Sequence, residues 1–439
     1  MILAKPAQSQ PITFELLANA VELTRETSQE QSEEQSDFIR TYVGYADVLE
    51  VPQMMHEAVA VQIVASVLNK NGVCIPHGAN CYSMDIWIAL LSGSGAGRST
   101  LVTLAGPLLE GAKLGSLVRN MQWGSGPALH QQMASSPQGL FVWGELSEKL
   151  QLLNDSRFGG MKQWLTDRYD NFRLPESIEY RQTQKTSQDT PSIIFTTAPR
   201  INILATSSEE WFFNNLAQGD SAGGFVPRWL LVRTPDPGRD IPTPVKPNER
   251  LLKRLVAQLG QISHIKGYAD LTEILASYEQ WYGPAKQRFA SQPNPSLATA
   301  YFNRHRVHVL KLAVIYEVSR SLSLRPTEAS WSRAERAAKR LEDTIFSLLG
   351  TGMSREGFAL SKMEERVKQA GAYGLPLSEL TKAFQHDNKS IRDQRLHTLI
   401  ASEAAVAFQR RTAGRPAVVL VHGGAVDEYR LRHPDDRQQ

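Results

Sequence analysis

The chain has little of what marks secreted or membrane proteins. It holds two cysteines, Cys74 and Cys81, in 439 residues. Two thiols without a companion cluster of Cys and His exclude a disulfide framework and a zinc site as organising features, and they suit a reducing compartment. No apolar run approaches the roughly 20 residues needed to span a bilayer. The segment Met1-Ile2-Leu3-Ala4-Lys5-Pro6 lacks the apolar stretch of a secretory leader. A cytoplasmic protein with no membrane partner is expected. A large excess of charge of one sign is lacking too. The net charge is +3, so only local clusters can name a charged partner. No carboxylate constellation of the nuclease or primase kind is apparent.

What is present is an ordinary globular composition, 41% hydrophobic and 21% charged. The length suits roughly two to four domains. The organising stretch is Trp87-Ile88-Ala89-Leu90-Leu91-Ser92, an apolar run of strand length. It enters Gly93-Ser94-Gly95-Ala96-Gly97-Arg98-Ser99-Thr100 and then a periodic segment with Leu101, Val102, Leu104 and Ala105. Strand, glycine-rich loop and helix in that order are the setting of a phosphate-binding P-loop. The helix start adds free N–H groups and a positive dipole end. The pattern G-x-x-x-x-G-K-[ST] falls on Ser92, Gly97, Arg98 and Ser99, so its first glycine and its lysine are replaced. Arginine keeps the charge but widens it into a planar fork, and Ser99 keeps the hydroxyl suited to Mg²⁺. On this reading Ser94, Gly95, Ala96, Gly97, Arg98, Ser99 and Thr100 bind ATP, with Ser99 on the metal. A glycine-rich turn without a ligand is the plain alternative.

A helix is expected over 52–70, opened by Pro52. After the loop, Pro107 should end the following helix near Gly106. Ser125 caps a short helix to Ser135, with Pro127 early in it. Gly139-Leu140-Phe141-Val142-Trp143 reads as a strand leading to Gly144-Glu145. An apolar strand ending in an acid is the Walker B pattern; Gly144 stands where an aspartate is usual, and Glu145 is placed to activate water. A plain surface glutamate is the alternative. Pro191 to Pro199 reads as a third buried strand, whose Thr197 would touch the γ-phosphate or its water. Arg228 stands at the entrance of a fourth strand, where it would serve as a finger across a subunit boundary or simply be solvated. Prolines 235, 237, 242, 244 and 247 mark a semi-rigid connector. Helices follow to about Leu349, with Arg304, His305, Arg306, His308 and Lys311 read as a solvated face.

Residues 361–422 read as three helices and a basic hairpin, the pattern of a winged helix-turn-helix. Between 382 and 415, seven bases face three acids, a local excess of +4. Lys389, Arg392 and Arg395 on the third helix, and Arg410, Arg411 and Arg415 on the wing, are the candidate DNA contacts. Protein docking is the other use of such a module.

The order and spacing of these pieces over about residues 50–350 resemble a family of bacterial, phage and plasmid P-loop ATPases of uncharacterised function. Its members are often joined to primase or replicative-helicase parts. The segments 125–129, 164–170, 196–199 and 223–229 contribute to the likeness. The resemblance implies a RecA-like or AAA+-like parallel-sheet core and a ring-forming motor on DNA. Ser92, Arg98 and Gly144 depart from the pattern and put hydrolysis, more than fold, in question. The expected fold class is α/β. A polar helical segment would fill 1–45, the ATPase core 46–234, a proline-rich connector and helical domain 235–350, a winged helix 351–425 and a polar tail 426–439. The expected function is a DNA-associated ATPase using ATP and Mg²⁺, assembled as a homo-oligomer, with a hexameric ring one arrangement left open. A non-hydrolysing DNA-binding scaffold and a nucleotide-gated adaptor that recruits another enzyme are the rival readings.

Overall fold

Trp87–Ser92 forms β1, an interior strand of the main sheet, buried along its whole length. A strand covered on both faces needs a continuous apolar run rather than alternation, and this one has it. Its neighbours are β2 (Val118–Arg119), β3 (Gln138–Trp143), β4 (Arg200–Ser208) and β5 (Trp229–Arg233). They form a five-stranded, wholly parallel sheet in the order β2-β3-β4-β1-β5. The fold is α/β. The computed structural model describes residues 37–93, 98–119, 125–170, 176–178, 193–216, 220, 224–234, 240–243, 245–350, 355–385, 387–411 and 416–438. Ser94, Gly95, Ala96, Gly97 and Arg415 lie outside the described residues, as do the side chains of Arg98 and Ser99.

Helices α1 (Phe38–Ala46), α2 (Gln53–Lys70) and α3 (Arg98–Gly111) precede or follow β1. Helices α4 (Gly126–Ser135), α5 (Leu146–Asn154), α6 (Met161–Asp170) and α7 (Glu209–Asn215) connect the later strands. Helices α8 (Glu249–Ile262), α9 (Leu275–Ala290), α10 (Pro295–Ser321) and α11 (Glu328–Gly350) follow the sheet. One hydrophobic core runs through all of these, from Phe38 to Phe358. Helix α2 crosses β1, β3 and β4 and is buried nearly all round, so its polar side chains must be bonded internally. The Gln62 amide donates to the Ile86 carbonyl at 3.2 Å, and the Asn69 amide bonds Asn202 at 2.5 Å and Asp85.

Three sequence expectations change. The segment 191–199 does not enter the central sheet: Ile193–Phe195 pairs antiparallel with Glu176–Ile178 in a separate ribbon. The strand beside β1 is β4, which begins just after Pro199. Helix α3 does not stop at Gly106 but runs through Pro107 to Gly111. An interior proline costs about 3 kcal/mol. Leu108 and Leu109 beyond it are fully or almost fully buried, and each contributes roughly 1.5–3 kcal/mol, so burial carries the helix past the break. Third, His305, His308 and Lys311 are not on a solvated face; all are 1–2% exposed. The Lys311 ammonium donates to the Asp85 carbonyl at 2.6 Å and lies 4.5 Å above the Tyr169 ring. His308 Nε2 meets the Tyr169 hydroxyl at 2.7 Å, and burial, with Lys311 nearby, holds the imidazole well below its usual pKa.

The C-terminal unit contains α12 (Arg355–Gln369), β6 (Leu375–Pro376), α13 (Leu377–Ala383), α14 (Lys389–Ala401), β7 (Ala405–Arg410), β8 (Ala417–His422), α15 (Val426–Arg432) and β9 (Arg437–Gln438). Its antiparallel sheet runs β6-β8-β7-β9. Helix α12 starts before Ser361, and the stretch read as a polar tail holds α15 and β9. Tyr429 of α15 is fully buried against Phe408, Val419 and Val421. Asn388 caps α14, its carboxamide oxygen accepting the Ser390 N–H at 3.1 Å.

Candidate functional site

The carboxyl edge of a parallel sheet is where connecting loops leave room for a ligand, above all where the strand order reverses. Here β1 sits between β4 and β5, so the chain leaves β1 toward one side and returns on the other. At this edge Leu90, Leu91 and Ser92 lie level with Thr206, Ser207 and Ser208, and Trp143 at the end of β3 lies level with Ala205. Gly144 and Glu145 therefore emerge beside the hydroxyl-rich end of β4. Three donors converge on one carboxylate oxygen. Glu145 Oε1 accepts from the Ser207 hydroxyl at 2.5 Å, the Ser147 hydroxyl at 2.7 Å and, at longer range, the Ser147 N–H at 3.4 Å. The last contact makes Glu145 the N-cap of α5. No described residue bonds Oε2. The Thr206 hydroxyl donates to the Gly144 carbonyl at 2.5 Å.

Next to this cluster, α7 starts directly after β4. Ser208 caps it, accepting the Trp211 N–H at 3.2 Å. Its first residue, Glu209, accepts from Arg233 Nε at 2.7 Å, and Arg233 Nη1 donates to Ser347 of α11 at 2.9 Å. These contacts fasten the ends of β4 and β5 together. Across the edge, the backbone after β1 resumes as helix at Arg98, and Thr100 is exposed in its first turn.

Glu145 thus lies at the edge where the sequence placed it. Thr197 does not. It is exposed just before β4, at the amino edge, beside Lys70, Arg119 and Gln138. At about 3.3 Å per residue, the length of β4 puts roughly 30 Å of strand between it and Ser207. A parallel strand cannot bring both its ends to one site, and Thr206 and Ser207 hold the place assigned to Thr197. Arg228 also differs from expectation. A finger must offer its guanidinium to a neighbour, but this side chain is 7% exposed. Its Nη1 donates to the Gly224 carbonyl at 2.6 Å, and the guanidinium lies 5.9 Å from the Tyr169 ring centre. Gly224 has φ +79°, and a Cβ there would come within 2.8 Å of Arg228 Nη1. The close approach keeps Arg228 turned into its own chain.

The basic candidates of the C-terminal unit divide in the same way. Lys389 and Arg411 are exposed and Arg392 is half-buried. Arg395 is buried: its Nε and Nη2 fork onto Glu356 at 2.6 and 2.9 Å, and Nη1 donates to Asp387 at 2.6 Å. The bonds to Glu356 push its pKa further up. Arg410 bonds the Tyr373 carbonyl at 2.8 Å, the Tyr429 hydroxyl at 3.0 Å and Asp436 at 3.3 Å. Both arginines hold the unit together rather than face a partner.

Ser147, Thr206, Ser207, Glu209 and Arg233 are the polar residues of the carboxyl edge that sequence reading missed. The run Ile201-Asn202-Ile203-Leu204-Ala205-Thr206-Ser207-Ser208 carried the signal: an apolar strand ending in hydroxyls. No protein-family model matches the chain, and no curated protein matches it in sequence. Among the described residues, no helix is long and apolar enough to cross a membrane.

Proposed function

We propose that the chain is a nucleotide-binding P-loop ATPase that acts on DNA, with ATP and Mg²⁺ at Ser94–Thr100. The observation that carries this reading is the placement of Glu145. It ends the strand two places from β1, with β4 between, and its carboxylate is fixed on the edge from which the glycine-rich loop departs. Polar groups on neighbouring strands meet at the switch point of a parallel sheet, which is where such sheets bind nucleotides. When bound, the Mg²⁺ would neutralise phosphate charge and draw electrons from the γ-phosphorus. The chain's own part is to hold phosphates on backbone N–H groups at the start of α3 and to orient water with Glu145. Bonds to Oε1 leave Oε2 to face the water, with Ser147 and Ser207 stopping the carboxylate from turning.

In the same proposal the C-terminal unit is a winged helix that binds DNA. Its order is helix, short strand, helix, helix and a two-stranded hairpin, with the short strand beside the last one. Lys389 and Arg392 on α14 and Arg411, just after β7, would meet phosphates. A homo-oligomer, if formed, needs an arginine other than Arg228 to act in trans. One observation favours the rival reading of a non-hydrolysing scaffold: Gly144 offers no carboxylate where a metal-binding acid is usual. ATP turnover by the purified chain, with and without duplex DNA, decides between them. DNA-stimulated turnover that is lost in Glu145→Gln supports the ATPase. Binding of ATP and DNA without turnover supports the scaffold.

A further inference from the structure

The carboxyl-edge cluster and the C-terminal unit are joined by an unbroken series of contacts. Ser207 is followed by the cap residue Ser208 and then by α7, a helix of seven residues. So short a helix has no stability of its own and takes its position from what it packs on. Besides its Ser208 cap, its packing on α5 and the Glu209–Arg233 pair, it is anchored by Phe213, fully buried and stacked on Phe358 of α12 with ring centres 4.4 Å apart and planes 18° apart. A second contact lies one turn away: Lys362 Nζ is 3.8 Å from Glu209 Oε2. Glu209 and Phe213 are four residues apart on α7, and Phe358 and Lys362 are four apart on α12. Each pair therefore occupies one helix face, and the two faces meet with Phe358 at Phe213 and Lys362 at Glu209. Near the start of α12, Glu356 receives the fork of Arg395 from α14. The exposed Lys389 and the half-buried Arg392 lie on that same helix.

We propose that the C-terminal unit sets the position of the Glu145 carboxylate: α12 fixes α7, α7 fixes Ser207, and Ser207 is a positioning residue for Glu145. A load on α14 would then be felt at the carboxylate through Arg395–Glu356, Phe358–Phe213 and Ser207–Glu145. This also accounts for a buried arginine in a helix that otherwise presents its bases outward. The catalytic consequence rests on the ATPase reading; the mechanical link does not.

Hydrogen exchange of the full chain tests the link without nucleotide, in wild type, Phe358→Ala, Phe358→Leu and Ser207→Ala. In Phe358→Ala, exchange should rise about fivefold or more over residues 205–213 and also over 143–148, while 53–70 in α2 stays as in wild type. Phe358→Leu keeps the apolar bulk without the stack and should give a smaller rise in the same two places. It also decides the matter if the alanine variant proves unstable. Ser207→Ala should raise exchange at 143–148, because Glu145 loses a donor that holds it as the α5 cap. In turnover assays Ser207→Ala should lower kcat about tenfold with the affinity for an ATP analogue kept within about twofold, and Ser207→Thr should restore it. A loosened α7 with unchanged exchange at 143–148 breaks the link. Unchanged kcat in Ser207→Ala removes Ser207 as a positioning residue. Transmitted exchange in proteins that turn over no ATP leaves the link standing and sinks the ATPase reading instead.

Discussion

The Ser207 hydroxyl reaches across the carboxyl edge of the sheet to Glu145 Oε1 at 2.5 Å, from a strand that separates Glu145 from β1. This bond, with the two from Ser147, defines which carboxylate oxygen is occupied and which is presented. It gives Glu145 a fixed aim that an ordinary surface glutamate lacks.

Glu145→Gln keeps the side-chain shape and an oxygen acceptor for Ser207 but removes the carboxylate proposed to orient water. Turnover should fall about 100-fold or more, while a fluorescent ATP analogue should bind as to wild type. Steady-state phosphate release and analogue titration measure the two. Turnover within about twofold of wild type would remove Glu145 from the chemistry.

Gly144→Asp supplies the carboxylate that the β3 edge lacks. A Cβ at Gly144 meets nothing within 4 Å, so a side chain can leave the backbone there without a clash at its first carbon. The Mg²⁺ concentration for half-maximal turnover should drop several-fold. An unchanged metal dependence would show that this position does not face the metal.

On DNA, Lys389, Arg392 and Arg411 should account for the salt sensitivity, and Arg395 and Arg410 should not. Changing the first three together to Ala should flatten the salt slope by up to about 3, since each duplex phosphate contact contributes about 0.9. Arg395→Ala should instead lower the melting temperature of the C-terminal unit, because Glu356 and Asp387 lose their shared partner. The reverse pattern in salt titrations and melts would move the DNA path to the other residues.

His130 packs edge-on to Trp164 at 4.5 Å, and burial lowers its pKa to about 4. The folded state therefore holds a neutral imidazole that the unfolded chain would protonate below about 6.5. Its contribution is present in full above that value and is lost as pH falls toward about 4, because the unfolded state then binds the extra proton. The urea midpoint of wild type should decline across this window, and His130→Gln should decline less steeply. Equal slopes would place the acid sensitivity elsewhere, with His308 the next group to change.

Much of the sheet was legible because burial on both faces writes continuous apolar runs, as at Trp87–Ser92 and Gly139–Trp143. Strand β4 was not, for two local reasons. Pro199 looks like a terminator, and Asn202 interrupts the run. In the fold Asn202 is fully buried and satisfied by Asn69 and the Met84 carbonyl, partners more than a hundred residues away in sequence. The site divided along the same line. Glu145 follows directly from the strand before it, whereas its donor Ser207 comes from 62 residues further on. The arginines show the limit of charge counting. Arg395 and Arg410 look like neighbours of Arg392 and Arg411 in sequence, but Arg395 forks onto an acid 39 residues away as well as bonding Asp387 nearby, and Arg410 pairs with an acid 26 residues away, and this pairing turned them inward.

Equilibrium binding of a fluorescent ATP analogue with Mg²⁺ to wild type and to Gly97→Val asks whether the glycine-rich loop after β1 holds a nucleotide, as proposed. A branched side chain at a loop glycine blocks the close approach of backbone to phosphate. Saturable binding by wild type, weakened about tenfold or more in Gly97→Val with an unchanged melting temperature, is the expected result. Equal affinity in the two proteins, or no binding by either, contradicts it.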